Sequence, residues 1–127
     1  MLKEFLDEDI WGRYKNKCDY FGFQFRQAIN SGVKNPDSSI GVYAGSMSSY
    51  KSFHKMFDKI IDKYHGHKPD AKHQSSWDVT ELNITQDVDP DGTYALSTRI
   101  RVARNFDKYP FGTFISPNHR KEVETIA

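Results

Sequence analysis

The hydrophobic period of this chain changes once, and the change limits what the chain can fold into. Up to Tyr64, large apolar residues recur at spacings of three and four, as they do along helix faces. From Tyr94 to Val102 the spacing is two. Leu96, Thr98, Ile100 and Val102 fall on one side of an expected strand, and Ser97, Arg99 and Arg101 on the other. A strand needs neighbours, and no sheet for it to join lies within the 127 residues. The expected fold is therefore mainly α. It comprises an all-helical unit over residues 1–75, a linker over 76–93 and, over 94–127, the first strand and helix of a further domain.

Within the helical unit, Leu2, Phe5, Leu6, Ile10, Trp11 and Tyr14 mark one face of one or two short helices, the second capped by Asp7. A second segment runs from Phe21 to Ile29 and is expected to stop at Asn30-Ser31-Gly32, where glycine accepts the left-handed conformation past a helix end. Asn35-Pro36-Asp37-Ser38 reads as a turn. The longest expected helix spans Ser49 to Tyr64, with Tyr50, Phe53, Phe57, Ile60, Ile61 and Tyr64 on one stripe and Gly66 and Pro69 ending it. Ser116-Pro117 opens a last helix as cap and first-turn proline. No stop signal precedes Ala127, so the chain reads as truncated within a longer protein.

Composition removes several function classes. Eighteen Lys and Arg against 17 Asp and Glu leave a formal net charge of +1, so bulk charge does not draw the chain to nucleic acid or membrane. Any basic site must be local. No apolar run is long enough to span a bilayer, the start lacks a secretory signal, and a single cysteine, Cys18, excludes an intrachain disulfide; the expectation is a cytoplasmic protein. Aromatic residues make up 14% of the chain, which supports a packed core rather than disorder.

Two constellations point to chemistry. Period-two spacing aims the Ser97 hydroxyl and the guanidinium groups of Arg99 and Arg101 at one volume, and the forked donors of arginine match phosphate oxygens. The alternative is a solvated edge strand, and Arg104 breaks the alternation. The second constellation is the turn Asp37-Ser38-Ser39-Ile40-Gly41-Val42-Tyr43. Small residues there bring backbone amides close to a ligand, Tyr43 adds a phenol, and the set suits a carboxylate. Its alternative is a helix connection that packs Ile40, Val42 and Tyr43 into the core. His65, His67 and His73 lack the spacing of a zinc site, and no protein-held metal is expected. Cys18 reads as an ordinary thiol, and Tyr20 to Phe25 as helix-packing core rather than a base-stacking platform. A nucleic-acid reading rests only on Arg99, Arg101 and Arg104 and is not favoured.

Taken in order, Asn30-Ser31-Gly32-Val33-Lys34-Asn35-Pro36-Asp37-Ser38-Ser39-Ile40-Gly41-Val42-Tyr43-Ala44, Phe57 to Gly66, Asp89-Pro90-Asp91-Gly92 and Ser97-Thr98-Arg99-Ile100-Arg101 resemble the phosphagen kinases, the ATP:guanidino phosphotransferases, most closely their arginine-kinase branch. The resemblance implies a small all-helical N-terminal domain, a linker, and the opening of an α/β catalytic domain built on an antiparallel sheet. It implies reversible transfer of the ATP γ-phosphoryl group to the guanidino group of L-arginine, with ATP or ADP entering as the magnesium complex. Ser39, Ile40, Gly41, Val42 and Tyr43 then hold the substrate carboxylate, Ser97, Thr98, Arg99, Ile100 and Arg101 contact the ATP phosphates, and Asp37 lies near the interface between domains. The implied partners are L-arginine, ATP and the remainder of the chain's own catalytic domain. The family's catalytic glutamate and reactive cysteine match nothing in these residues, so the chain alone is expected to be inactive. The sequence departs from the family at Ser39 and Ala103, where glycine is usual, and over Gly112-Thr113-Phe114-Ile115. Two alternatives stand beside this reading: a non-catalytic guanidino-binding protein, and a kinase for another guanidino substrate such as creatine.

Overall fold

In the computed structural model, residues 1–82 and 89–127 are described, and the part of the expected linker from 83 to 88 lies outside the described residues. Two units can be distinguished: Met1–Ala71 together with Asn105–Ala127, and Lys72–Arg104.

The first unit is helical. Its elements are α1 (Leu2–Phe5), α2 (Glu8–Tyr14), α3 (Phe25–Lys34), α4 (Met47–Ser52), α5 (His54–His65) and α6 (Pro117–Ile126). Asp7 caps α2 as expected, its Oδ1 accepting from the Ile10 amide at 2.7 Å. That amide, foremost, holds the Asp7 carboxyl below its ordinary range, against some desolvation and with help from Lys59. Gly66, at φ 70°, ends α5 in the left-handed conformation. Ser116 caps α6 by accepting from the His119 amide, with Pro117 in the first turn.

Two helix expectations need correction. α3 does not stop at Asn30-Ser31-Gly32 but runs to Lys34, and Asn35 ends it, donating from both its backbone amide and its Nδ2 to the Ser31 carbonyl at 2.8 and 3.1 Å. Gly32 is in the helix because a neighbour needs the space: an added Cβ would come within 2.7 Å of the Gly41 carbonyl oxygen. The expected helix over Ser49 to Tyr64 is two helices. Phe53, at φ −118° and ψ 29°, bends the chain between α4 and α5 and buries its ring completely. The bend shifts the inward face, so Met56 joins Phe57 and Ile60 in the core while Tyr50 and Tyr64 are left exposed.

The core is centred on three rings. Tyr14, Phe25 and Phe53 lie 5.3 to 5.8 Å apart between centroids, in tilted or edge-on arrangements that suit aromatic quadrupoles. Ile10, Ala28, Ile29, Met56 and Ile60 surround them. Of the run Tyr20 to Phe25, only Phe23 and Phe25 are buried, and the segment before α3 is a turn closed by an antiparallel bridge between Cys18 and Gln24 rather than a helix. The chain from Asn105 onward docks on this same unit. The Phe111 amide donates to the Gly45 carbonyl at 2.7 Å, Thr113 Oγ1 donates to the Ala44 carbonyl at 2.6 Å, and Phe114 stacks edge-on against Phe23.

Among the described residues, the second unit holds one 3-10 turn, Val79–Leu82, with Asp78 accepting from the amide and hydroxyl of Thr80. Asp89 accepts from the amides of Thr93, Tyr94 and Ala95. The strand expected over Tyr94 to Val102 does not form, and among the described residues no strand is present. A lone period-two segment has no ladder to complete, so alternation alone does not make it a strand.

One buried charge ties the first unit together. Asp19 is 5% exposed, and its carboxylate accepts from the amides of Phe21 and Phe23 and from the hydroxyls of Ser46 and Ser49, the last two at 2.6 Å. Burial pushes this carboxyl up, but the hydrogen bonds from Ser46, Ser49, Phe23 and Phe21 outweigh it and leave it below its ordinary value. Asp19→Ala is expected to cost about 3 kcal/mol in urea unfolding, because it strands buried donors. With the folded value lowered, the contribution is complete above the unfolded value of about 3.9 and is lost as pH falls through the folded one. Asp19→Asn should accordingly flatten the acid side of the stability curve below about pH 4, and an unchanged acid slope would count against this assignment.

Candidate functional site

The segment Ser39 to Tyr43 lies against α3 and α1, and its backbone is oriented by the groups it bonds. The Ser39, Ile40 and Gly41 carbonyls accept from the Met1 nitrogen, the Leu2 amide and the Gly32 amide at 3.1, 3.2 and 2.9 Å. The Tyr43 amide donates to the Ala28 carbonyl at 2.9 Å. Ala28 and Gly32 are four residues apart, the pair that a regular α-helix bonds to each other, and here both hold the loop. Gly41 adopts φ 74°, and a Cβ on it would come within 2.7 Å of the Gly32 Cα, so glycine is required there for both conformation and space.

This bonding leaves a pattern of donors. The amides of Ser39, Ile40, Gly41 and Val42 have no acceptor among the described residues, while the carbonyls of the first three are taken. Val42 is buried, Ile40 half-buried, and Tyr43 is 51% exposed. Beside Tyr43 lies a pocket of about 400 Å³, within the size range of small-ligand sites. Gln27, Asn30, Ser31 and Lys34 supply much of its wall, and Phe23, Asn35, Tyr43 and Thr113 complete it. Those four α3 residues follow the i, i+3, i+4, i+7 spacing of one helix face. Sequence reasoning missed them because it ended the helix at Asn30; the same spacing rule applied through Lys34 finds a polar stripe facing the loop.

The other expected site residues are placed apart from any common geometry. Ser97, Thr98, Arg99, Ile100 and Arg101 are all exposed, and Arg104 donates from Nη1 to its neighbour's carbonyl at 2.7 Å. Asp37 is exposed and has no ion pair among the described residues. The rings of His65 and His67 stack at 6.1 Å, and His73 bonds Ser75. Among the described residues, no group of three His, Cys, Asp or Glu side chains converges as a metal site would, and no helix is long and apolar enough to cross a membrane.

A row of amides without acceptors among the described residues, a glycine-dependent loop and a polar pocket thus lie side by side. The family described as ATP:guanido phosphotransferase, N-terminal domain, matches residues 1–62, which include all of the loop. Residues 1–62 carry the N-terminal domain of the ATP:guanido phosphotransferases. Curated proteins similar to it include the arginine kinases of Limulus polyphemus, 39% identical over 126 residues, Pachygrapsus marmoratus, 38% over 125, and Callinectes sapidus, 37% over 126. Each match covers 98% of this chain, and the chain spans 35% of each relative's length. The helices from α1 to α5 that fall within residues 1–62 match the all-helical N-terminal domain of guanidino kinases, in agreement with the fold expected from the sequence.

The loop's dependence on glycine is directly testable in this guanidino-kinase domain. Gly41→Ala is expected to cost about 2 to 4 kcal/mol, through a left-handed φ and a clash with α3. Amide exchange should accelerate most at Gly32 and Tyr43, the two donors that join loop and helix. Unchanged protection at both amides would refute the pinning role.

Proposed function

We propose that this chain is the N-terminal part of an arginine kinase, whose whole protein reversibly transfers the ATP γ-phosphoryl group to the guanidino group of L-arginine in the cytoplasm. The observation that carries the reading is the row of unengaged amides from Ser39 to Val42 next to the exposed Tyr43, together with relatives that are arginine kinases. The amides and the Tyr43 hydroxyl hold the carboxylate of L-arginine. Fixing that end orients the guanidino nitrogen, and positioning of this kind supplies much of the acceleration in phosphoryl transfer.

ATP or ADP enters as substrate in its magnesium complex. Ser97, Thr98, Arg99, Ile100 and Arg101 form the phosphate-contacting strand once the segment is paired: the hydroxyls donate to phosphate oxygens and the two guanidinium groups neutralise charge on them. The exposure of Leu96, Ile100 and Val102, at 86%, 85% and 78%, favours this reading, because a period-two apolar edge of that kind is suited to a sheet. Its partner is the remainder of the catalytic domain, to which 94–127 contribute the opening and from which 76–93 separate the helical domain. Asp37, exposed at the turn before the loop, faces that domain.

Titration of L-arginine into the chain, followed by amide chemical shifts, tests the carboxylate assignment. Shifts should concentrate at Ser39 to Tyr43, should be absent with agmatine, which lacks the carboxylate, and Tyr43→Phe should weaken binding about three- to tenfold. Equal responses to arginine and agmatine would overturn the assignment. The chain alone should show no ATP-dependent phosphorylation of arginine, since most of the charge-stabilising groups lie in the rest of the protein; turnover by the chain alone would refute the partial-enzyme reading.

A further inference from the structure

Away from the loop, the turn between α2 and α3 gathers three cations around one pocket. Lys15, Lys17 and Arg26 line a cavity of about 270 Å³ with Asn16, Cys18 and Gln24. No carboxylate lines it. The ion pairs among the described residues use Arg13, Lys59, Lys63 and Lys68, and none of these three. Asp19, next in sequence to the pocket, commits both carboxylate oxygens to Phe21, Phe23, Ser46 and Ser49.

Two of the three cations are held in place. The Arg26 guanidinium lies over the Trp11 ring, 4.9 Å from its centroid, and its Nε donates to the Lys15 carbonyl at 3.2 Å. That bond leaves both terminal nitrogens without an acceptor among the described residues, the pair a phosphate or carboxylate binds bidentately. Lys17 Nζ lies 5.6 Å from the centroid of Tyr14, a ring that is fully buried in the core. The backbone beneath is fixed by the Cys18–Gln24 bridge and by the Phe25 amide donating to the Lys17 carbonyl at 3.1 Å. Three like charges facing one small volume repel each other, and an anion there relieves that repulsion as well as being attracted.

We propose that Lys15, Lys17 and Arg26 form a binding site for a small phosphate-bearing anion. Arg26 binds two oxygens through its terminal nitrogens, the lysines neutralise the remaining charge, and the Asn16 and Gln24 amides add neutral donors. The pocket's volume fits one or two phosphate groups rather than a polymer, and the chain's net charge of +1 provides no wider field to attract nucleic acid. The residues are separate from the loop at Ser39 to Tyr43 and from Ser97 to Arg101, so the site stands whether or not those assignments hold.

The test is titration of pyrophosphate, and separately of ATP, into the whole 127-residue chain at constant ionic strength, followed by amide shifts. Saturable shifts are expected at Lys15 to Cys18 and Gln24 to Arg26, with a Kd of about 0.1 to 3 mM. Lys17→Gln with Arg26→Gln should weaken binding at least about tenfold. Because Arg26 also packs on Trp11, a second variant, Lys15→Gln with Lys17→Gln, leaves that contact in place, gives up only the 5.6 Å approach of Lys17 to the Tyr14 ring, and should lose affinity with a melting transition lowered by no more than about 3 °C. Cys18 serves as an internal reporter: bound pyrophosphate should slow its alkylation by the neutral reagent iodoacetamide. Absence of these shifts up to about 10 mM pyrophosphate, or shifts that survive both variants, would overturn the proposal. ATP shifting the same amides with its adenine and ribose protons unperturbed would support recognition through the phosphates, whereas binding of ATP without pyrophosphate would overturn it.

Discussion

The Asp19 carboxylate occupies a junction where three stretches of chain meet that are not held together by any helix ladder. On one side it closes the turn before α3 through the Phe21 and Phe23 amides, and on the other it takes the hydroxyls of Ser46 and Ser49. Those serines form the capping box of α4, and the Gly45 amide donates to Ser49 Oγ at 3.0 Å. A single ion therefore links the turn that leads into α3 to the cap where α4 begins. It also sets the carbonyls at Ala44 and Gly45 that receive the chain from Asn105 onward. A buried ion is costly unless every lone pair is used. Four donors on two oxygens meet that condition, and neighbouring side chains consequently have little freedom to rearrange.

The glycines near this junction serve contact more than turning. A Cβ on Gly45 would lie 2.2 Å from the Phe23 ring, so the aromatic that follows the Asp19 turn packs flat on bare backbone. Gly32 and Gly41 meet in the same way at the other end of α3. The loop from Ser39 to Tyr43 meets α3, and the junction meets the segment just before α3, at positions where side chains are absent.

Much of this was legible in the sequence where the signal is local. Asp7, Gly66 and Ser116-Pro117 act as helix punctuation because capping depends on a few adjacent residues. The loop from Asp37 to Tyr43 could be singled out for the same reason: small residues, a glycine and a phenol stand next to each other. What the sequence concealed is tertiary. Nothing near Gly32 announces that a backbone segment nine residues later needs its space, so a glycine that serves close approach reads as a stop. The stripe from Tyr50 to Tyr64 continues in phase through Phe53, and only burial of that ring in the Tyr14 and Phe25 cluster explains the bend. The pocket wall on α3 and the cationic pocket at Lys15, Lys17 and Arg26 are likewise assembled from residues whose proximity appears only after folding. Alternation over Tyr94 to Val102 describes a strand's two faces, yet pairing requires a second strand that the period cannot supply.

The exchange of bonds between α3 and the loop makes Tyr43 a passenger of that helix. With Ala28 receiving the Tyr43 amide and Gly32 giving its own to Gly41, the loop is fastened at two points a turn apart, which resists rotation as well as displacement. The phenol cannot swing inward on a hinge at either end without breaking those two bonds. While those bonds hold, any approach of this loop to a ligand is made with the helix it is fastened to, as the advance of a jaw rather than the closing of a flap.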